Sequence, residues 1–395
     1  MKRVLIITGN RTFQPLTGGH IRTAVIAQSL ARLGYSVHLY CFAGRQEDYG
    51  ASSSRMDAIE PNLVQETHLG LAIGITQALL RRLGRSRGWQ HALMRRGWVP
   101  ASLKMAIAKA DVILADTPYC PPIPGPWAGK PWLMISHNLE YKLLQLGTSA
   151  ERRSAAWMQA QEAAAPRVYS DILACAEEDQ QFFRQHDGSG SRQIPQVGCA
   201  VMPDSYVVPT GTRERIRAEL GVGDEIRLLA FSGSGFGPNL TALAAVKRFA
   251  KQHEGWLLAQ GLRFLILGSM EPAAYREGAL IVTSRVPQIA PYFAAADAGL
   301  NPVTTGSGAN VKLFEYLAAR LPVISTRFGA RGTALVPGED FIEMDALDLQ
   351  PALAQFMAHD QPYWRAHAEA VWIRHQDSCD IQRVVAQALK VLPGF

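Results

Sequence analysis

Cysteine is scarce in this chain. Its five residues in 395 (Cys41, Cys120, Cys175, Cys199 and Cys379) are scattered, odd in number and never spaced as Cys-x-x-Cys. That pattern excludes a disulfide framework and a zinc ribbon, and it fits a reducing cytosol. Acid is the rarer charge, with 34 Asp and Glu against 40 Lys and Arg, for a formal net charge of +6. Over this length the excess is modest, which argues for a local basic patch and against a chain built to coat nucleic acid. No Asp-x-Asp metal motif and no histidine-rich metal spacing occur. Long apolar runs are missing as well: nothing approaches the roughly 20 residues that a helix needs to cross a bilayer. The opening apolar run, residues 4–7, is too short for the core of a signal peptide before Gly9 and Asn10 end it. A cytoplasmic protein without a membrane span is the expectation.

What the chain does have is a globular balance, with 48% hydrophobic and 19% charged residues. Its length favours two domains. Residues 4–7 read as a buried parallel strand, 21–33 as a helix stopped by Gly34, and 37–42 as the next strand. This is the βαβ opening of a doubly wound sheet. Strands at 112–115, 132–136 and 172–175 follow, with a helix over 149–164. The pattern then restarts with a strand at 227–231, the glycine turn "SGSGFGPN" and a helix over 240–251. Further strands are expected at 263–267, 280–282, 298–301 and 323–326. The predicted fold class is therefore α/β, with two Rossmann-type parallel-sheet domains facing across a cleft. The expected domains are residues 1–205 and 206–375, joined near 203–211, with a C-terminal helix over 376–395 packing back on the first domain.

Two segments stand out. Residues 69–98 carry six arginines and no acid, with leucines and tryptophans interleaved. Arg81, Arg82, Arg85, Trp89 and Trp98 on an amphipathic helix would suit an anionic membrane surface. A solvated helical face covering the first sheet explains the same pattern. The second segment is "GSGANVKLFEYLAARLPVISTRFGARG", residues 306–332. A glycine-rich turn opening a helix aims free backbone N–H groups forward, which suits phosphate. Glu315, further along that helix, is placed to accept hydrogen bonds from hydroxyls. Phosphate beside hydroxyls implies a nucleotide-sugar site, whereas an ordinary βα unit would use the same glycines only for turns.

Six blocks in order resemble glycosyltransferase family 4 of the GT-B type. They are "LTGGHIRTAVIAQSLARLGYSVHLY", "SHNLEYKLL", "SDILACAEEDQQFF", "FSGSGFGPNLTAL", "VPQIAPYFAAADAGLNP" and residues 306–332. The resemblance covers nearly the whole chain. It implies transfer of a sugar from a nucleoside diphosphate donor to a hydroxyl acceptor, metal-independent and with retained anomeric configuration. No cofactor is implied beyond the donor itself. Nucleic acid is not an expected partner; a lipid-linked or saccharide acceptor at an anionic membrane surface is.

The resemblance assigns donor contacts to Gly18, Gly19, Ser232, Gly233, Ser234, Val286, Ser307, Gly308, Ala309, Asn310, Val311, Lys312 and Glu315. Glu315 would hold the ribose hydroxyls, and Lys312 would either neutralise diphosphate or form a structural salt bridge. The family often places a second acid eight positions before the first; here that position is Ser307. His20 and Arg22 flank the acceptor side. His137, past a buried strand, and Glu140 are the catalytic candidates, either of them as a base, or Glu140 as the partner that orients His137. Asn239 reads as the cap of the helix over 240–251. Three other functions share these features: a nucleotide-sugar epimerase, a non-catalytic partner subunit of the same fold, and an NAD(P)-binding oxidoreductase using "SGSGFG". The last lacks an acid at a strand end about 20 residues beyond its glycines.

Overall fold

A computed structural model describes residues 1–9, 12–13, 18–43, 54–69, 79, 88–127, 129–190, 192–235, 237–306, 310–392 and 394–395. The chain divides into two compact units, residues 1–198 with 381–395, and residues 199–380. The expected breaks at 205/206 and 375/376 thus move to 198/199 and 380/381. The reason is local: Val201 N–H donates to Cys379 O at 2.9 Å and Val201 bridges Asp380 in parallel, so the outgoing and returning chains are stitched together inside the second unit. The helix Ile381–Leu389 then buries Ile381, Val384, Val385 and Ala388 in the first unit and packs on the helix Gly18–Arg32.

In the first unit the strands are β1 (Arg3–Thr8), β2 (Ser36–Ala43), β3 (Ser54–Glu60), β4 (Leu63–Leu69), β5 (Val112–Asp116), β6 (Trp132–Ile135) and β7 (Asp171–Leu173). They lie in the order β3-β4-β2-β1-β5-β6-β7, parallel except for the β3/β4 pair. The second unit repeats the plan with β8 (Arg227–Ser232), β9 (Leu262–Leu267), β10 (Tyr275–Glu277), β11 (Leu280–Ser284), β12 (Ala298–Asn301), β13 (Val323–Ser325) and β14 (Phe341–Glu343). Its order is β10-β11-β9-β8-β12-β13-β14, with only β10/β11 antiparallel. The central strands are apolar and buried over almost their whole length, as strands covered by helices on both faces must be. Each fully buried Leu, Ile or Phe there contributes about 1.5–3 kcal/mol.

The order has a functional consequence. In each sheet the chain winds outward from one central strand, then returns to that strand's other side. The reversal lies between β1 and β5 in the first unit and between β8 and β12 in the second. Ligands of open α/β sheets bind outside the carboxyl ends of the strands at such a reversal. Those ends are Thr8 and Asp116 in the first unit, and Ser232 and Asn301 in the second.

Beneath the second site sits a buried ion cluster. Asp297, just before β12, accepts hydrogen bonds from Leu228 N (2.7 Å), Arg213 (2.6 Å), Arg217 (3.3 Å) and Gln361 (2.9 Å). The Arg217 side chain is only 2% exposed. Asp297→Ala removes the buried carboxylate of this guanidinium and leaves it only exposed Asp224 at 3.8 Å, so urea unfolding should show a loss of about 3–5 kcal/mol. A loss below about 1 kcal/mol, the level of an exposed ion pair, would mean that the cluster does not hold the second unit together.

Candidate active site

In the first unit, register brings three polar residues to one edge of an apolar sheet. Ile7 pairs with Ala115, and Asp116 with Ile135, so Thr8, Asp116 and the residues after β6 sit side by side. Thr8 Oγ1 donates to Asp116 Oδ2 at 2.6 Å and Thr23 Oγ1 to Oδ1 at 3.0 Å. His137 Nε2 lies 2.6 Å from the same Oδ1. Arg22, 2% exposed, donates to Ser136 O at 2.8 Å, to Val197 O at 3.0 Å and to His137 Nδ1 at 3.0 Å. A guanidinium only donates, so Nδ1 must accept and the ring proton sits on Nε2, directed at Asp116. Burial alone would raise the Asp116 carboxyl. The His137 ring and the hydrogen bonds from His137, Thr8 and Thr23 outweigh it and hold the group below its ordinary value.

This geometry changes three expectations. His137 is at the strand edge as expected, but both ring nitrogens are engaged, so in this arrangement it is no free base. Its orienting partners are Asp116 and Arg22, not Glu140. Arg22 does not flank an acceptor; it is buried beneath the site. Glu140 opens the helix Glu140–Leu146, where its backbone N–H and that of Tyr141 donate to buried Glu162 at 2.6 and 3.1 Å. Gly19 packs against His137; a Cβ there would lie 3.6 Å from the ring. Gly18 starts the helix Gly18–Arg32, and the His20 side chain lies outside what is described.

In the second unit the helix Val311–Ala318 carries the site. It is seated by Tyr316, whose ring lies where any side chain on Gly299 of β12 would be: a Cβ there would come within 2.3 Å. The Tyr316 hydroxyl accepts from Ser232 N at 3.2 Å and donates to Leu300 O at 3.1 Å, tying the helix to β8 and β12. Ser232, 4% exposed, is spent on this contact and is not presented to phosphate.

Lys312, 8% exposed, has no carboxylate within 4 Å among the described residues. Its ammonium donates instead to the side-chain oxygens of Asn310 (3.0 Å) and Asn239 (3.2 Å), and it lies 5.7 Å from the centre of the Phe231 ring. The structural salt bridge is therefore not made. Burial presses the Lys312 pKa down to about 8; nearby Glu315 raises it, and Arg331 lowers it further. Arg331 stacks on Phe328 at 4.0 Å and reaches Gly306: its guanidinium lies 3.1 Å from where a Cβ would be. Gly306 has φ +132°, a conformation that L side chains rarely adopt.

Glu315 is half-buried. Tyr206 donates to its Oε1 at 2.9 Å, and no other hydrogen bond reaches the carboxylate among the described residues. Burial raises its pKa, offset by the Tyr206 hydrogen bond and the Lys312 charge. Tyr206, from the short 3-10 turn Pro203–Tyr206, lies nearly parallel to Phe293 at 6.2 Å.

The structure thus brings Asn310, Val311, Lys312 and Glu315 together on one helix start, with Gly233 and Ser234 on the turn after β8. Asn239 is not a cap: the helix begins earlier, at Gly237, and Asn239 bonds Ser234 O and Lys312 from its first turn. Val286 is half-buried in the loop after β11. Ser307, Gly308, Ala309, Arg81, Arg82 and Arg85 lie outside the described residues, as does the Trp89 side chain. Trp98 is 69% exposed, with Arg96 over its ring at 5.7 Å. Of the segment 69–98, residues 69, 79 and 88–98 are described, and Trp89–Arg95 among them form a helix. Asp116, Tyr206, Asn301 and Arg331 are the residues that sequence reasoning missed. Only Asp116 carried a local signal, an acid closing an apolar strand.

Residues 238–359, which include this helix, match the family model for Glycosyl transferases group 1. Among curated proteins none matches. The whole chain superposes on WaaG, a glycosyltransferase involved in lipopolysaccharide biosynthesis, at 18% identity and TM-score 0.61, covering 99% of this chain and 100% of that one. Anabaena HepE, solved with UDP and glucose, gives 13% identity and TM-score 0.62, with 99% of each chain covered. A UDP-forming trehalose-phosphate synthase from Burkholderia xenovorans gives 13% identity and TM-score 0.65 over the same share of both chains. Residues 238–359 thus carry the glycosyl transferases group 1 domain, on a chain whose fold is that of GT-B glycosyltransferases.

Proposed function

We propose that the protein transfers a sugar from a nucleoside diphosphate donor to a hydroxyl acceptor, without a metal ion and with retention at the anomeric carbon. One observation carries this reading. A single helix inside the family-matched segment holds a buried ammonium with no carboxylate bonded to it among the described residues and, three residues on, a carboxylate fixed at one oxygen. Glu315 takes the ribose hydroxyls through its remaining lone pairs. Lys312 and Arg331 meet the diphosphate at the helix N-terminus. As the bond from the sugar C1 to the phosphate oxygen breaks, charge develops on the leaving group where these cations already stand. The acceptor oxygen bonds to C1, and its proton passes to the departing phosphate oxygen. His137 has no vacant nitrogen for that proton, so its role here is positional.

A lipid-linked or polysaccharide acceptor at an anionic membrane face is proposed on the basic, aromatic segment 69–98, of which Trp98 is exposed. The involvement of WaaG in lipopolysaccharide biosynthesis supports the same setting. Among the described residues no helix is long and apolar enough to cross a membrane.

Nucleotide release from UDP-, GDP-, ADP- and TDP-sugars tests the reaction, with UDP first because the HepE structure holds it. Glu315→Ala should weaken donor binding about 10- to 100-fold, the worth of charged hydrogen bonds to the ribose. Unchanged affinity would sink the assignment, and a donor isomerised without acceptor would mean an epimerase.

The Lys312 pKa, pressed to about 8, has a signed consequence. Below that value the ammonium is present and favours the diphosphate. Above it, binding must take up a proton, so UDP affinity should fall as pH rises from about 7 to about 9.5. Lys312→Met should flatten the profile and lower affinity most at the low-pH end, where wild type carries the ammonium. Equal pH profiles in wild type and variant would contradict the assignment of Lys312 to phosphate.

A further inference from the structure

The first unit carries a cavity of about 380 Å³ that none of these steps uses. It lies between the helices Trp89–Arg95 and Ser149–Val168. Trp157 forms a fixed platform in its wall. His91 packs edge-on against that ring at 5.3 Å and 88°, and Gly88 lies so close that a Cβ there would be 3.3 Å from it. Ser154, one turn earlier on the same helix, also faces the cavity.

Arg95 and Arg96 complete the wall, both exposed. Among the described residues neither has a carboxylate partner; Arg96 makes a 3.4 Å contact to Ala92 O and lies over the Trp98 ring at 5.7 Å. Burial and the Arg95 charge push His91 down to about 4, so near neutral pH the positive charge here is that of the two arginines.

Both walls are tied to the edge that holds His137. Gln90 lies against Gly9, where a Cβ would be 1.9 Å from its side-chain nitrogen, and Gly9 follows Thr8, the partner of Asp116. On the other side Glu162, five residues past Trp157, receives the backbone N–H groups of Glu140 and Tyr141 just after His137.

We propose that this cavity is a subsite for a saccharide bearing a phosphate or carboxylate. The sugar ring lies on Trp157, and the anionic group pairs with the two guanidinium groups, which suit planar, two-pronged recognition of such anions. Its volume falls in the range of small-ligand sites. Concavity around a fixed indole favours a discrete group over a flat membrane surface, which is read by an exposed amphipathic face. That the saccharide is the acceptor rests on the transferase reading; that the cavity binds it does not.

Calorimetric titration with glucose, glucose 6-phosphate, glucose 1-phosphate and glucuronate tests the subsite, with UDP titrated in parallel. At least one anionic sugar should bind about tenfold more tightly than glucose, the worth of one charge-assisted hydrogen bond. The Arg95→Gln/Arg96→Gln variant should erase that preference, and Trp157→Phe should weaken all the sugars, while UDP binding stays as in wild type. The proposal is overturned if no anionic sugar binds, or if the arginine variant binds it as wild type does. It is equally overturned if only phosphatidylglycerol vesicles, and no sugar, distinguish the two proteins. Binding of an anionic sugar with none of UDP would keep the subsite and count against the donor assignment instead.

Discussion

A buried lysine ammonium whose hydrogen bonds, among the described residues, go to amide oxygens is the constraint on which the site of the second unit depends. Charge removed from water without a counter-ion is unfavourable, and the depressed Lys312 pKa expresses that cost. The fold tolerates it through a chain of neutral partners. Lys312 bonds Asn239 and Asn310, Asn310 bonds Asn301 at 2.9 Å, and Asn301 bonds Ser325 at 3.1 Å. These groups orient the ammonium without neutralising it. An arriving anion supplies the missing charge, so binding and recovery of a favourable protonation state are one event. Glu315 on the same helix is complementary: Tyr206 fixes one oxygen and leaves acceptor capacity on the carboxylate. Had Lys312 and Glu315 closed on each other, neither would be left for a ligand.

The edge of the first sheet is built on the opposite principle. The atoms that hold the His137 ring are matched in turn: guanidinium to Nδ1, carboxylate to Nε2–H, and two threonine hydroxyls to that carboxylate. A ring held at both nitrogens is fixed in place. It suits positioning a substrate better than moving a proton. Retention with the donor phosphate as proton acceptor asks for no base here, which is consistent with the proposed chemistry.

Much of this was legible in the sequence where the signal is local. Apolar runs located the central strands of both sheets, and glycine turns marked where helices begin. The spacing from Gly306 to Glu315 pointed to the helix that now carries the site. What escaped was non-local or polar. The edge strand β3, "SRMDAIE", is half solvent-facing and lacks an apolar run. Tyr206 meets Glu315 across 109 residues, and Asn239 meets Lys312 across 73. Arg331 reaches Gly306 from the loop after β13. Arg22 read as an acceptor-side residue because nothing near it in sequence shows that the backbone carbonyls of Ser136 and Val197 await it.

The central claim is that Glu315 and the ribose hydroxyls recognise each other at the start of that helix. A thermodynamic cycle tests it most directly: calorimetric affinities of UDP and of its 2′,3′-dideoxy analogue for wild type and for Glu315→Gln. If the claim holds, removing the hydroxyls costs wild type about tenfold or more, and costs the variant little beyond what the substitution has already removed. Equal losses in both proteins would contradict it, placing the ribose elsewhere and leaving Glu315 as a structural residue.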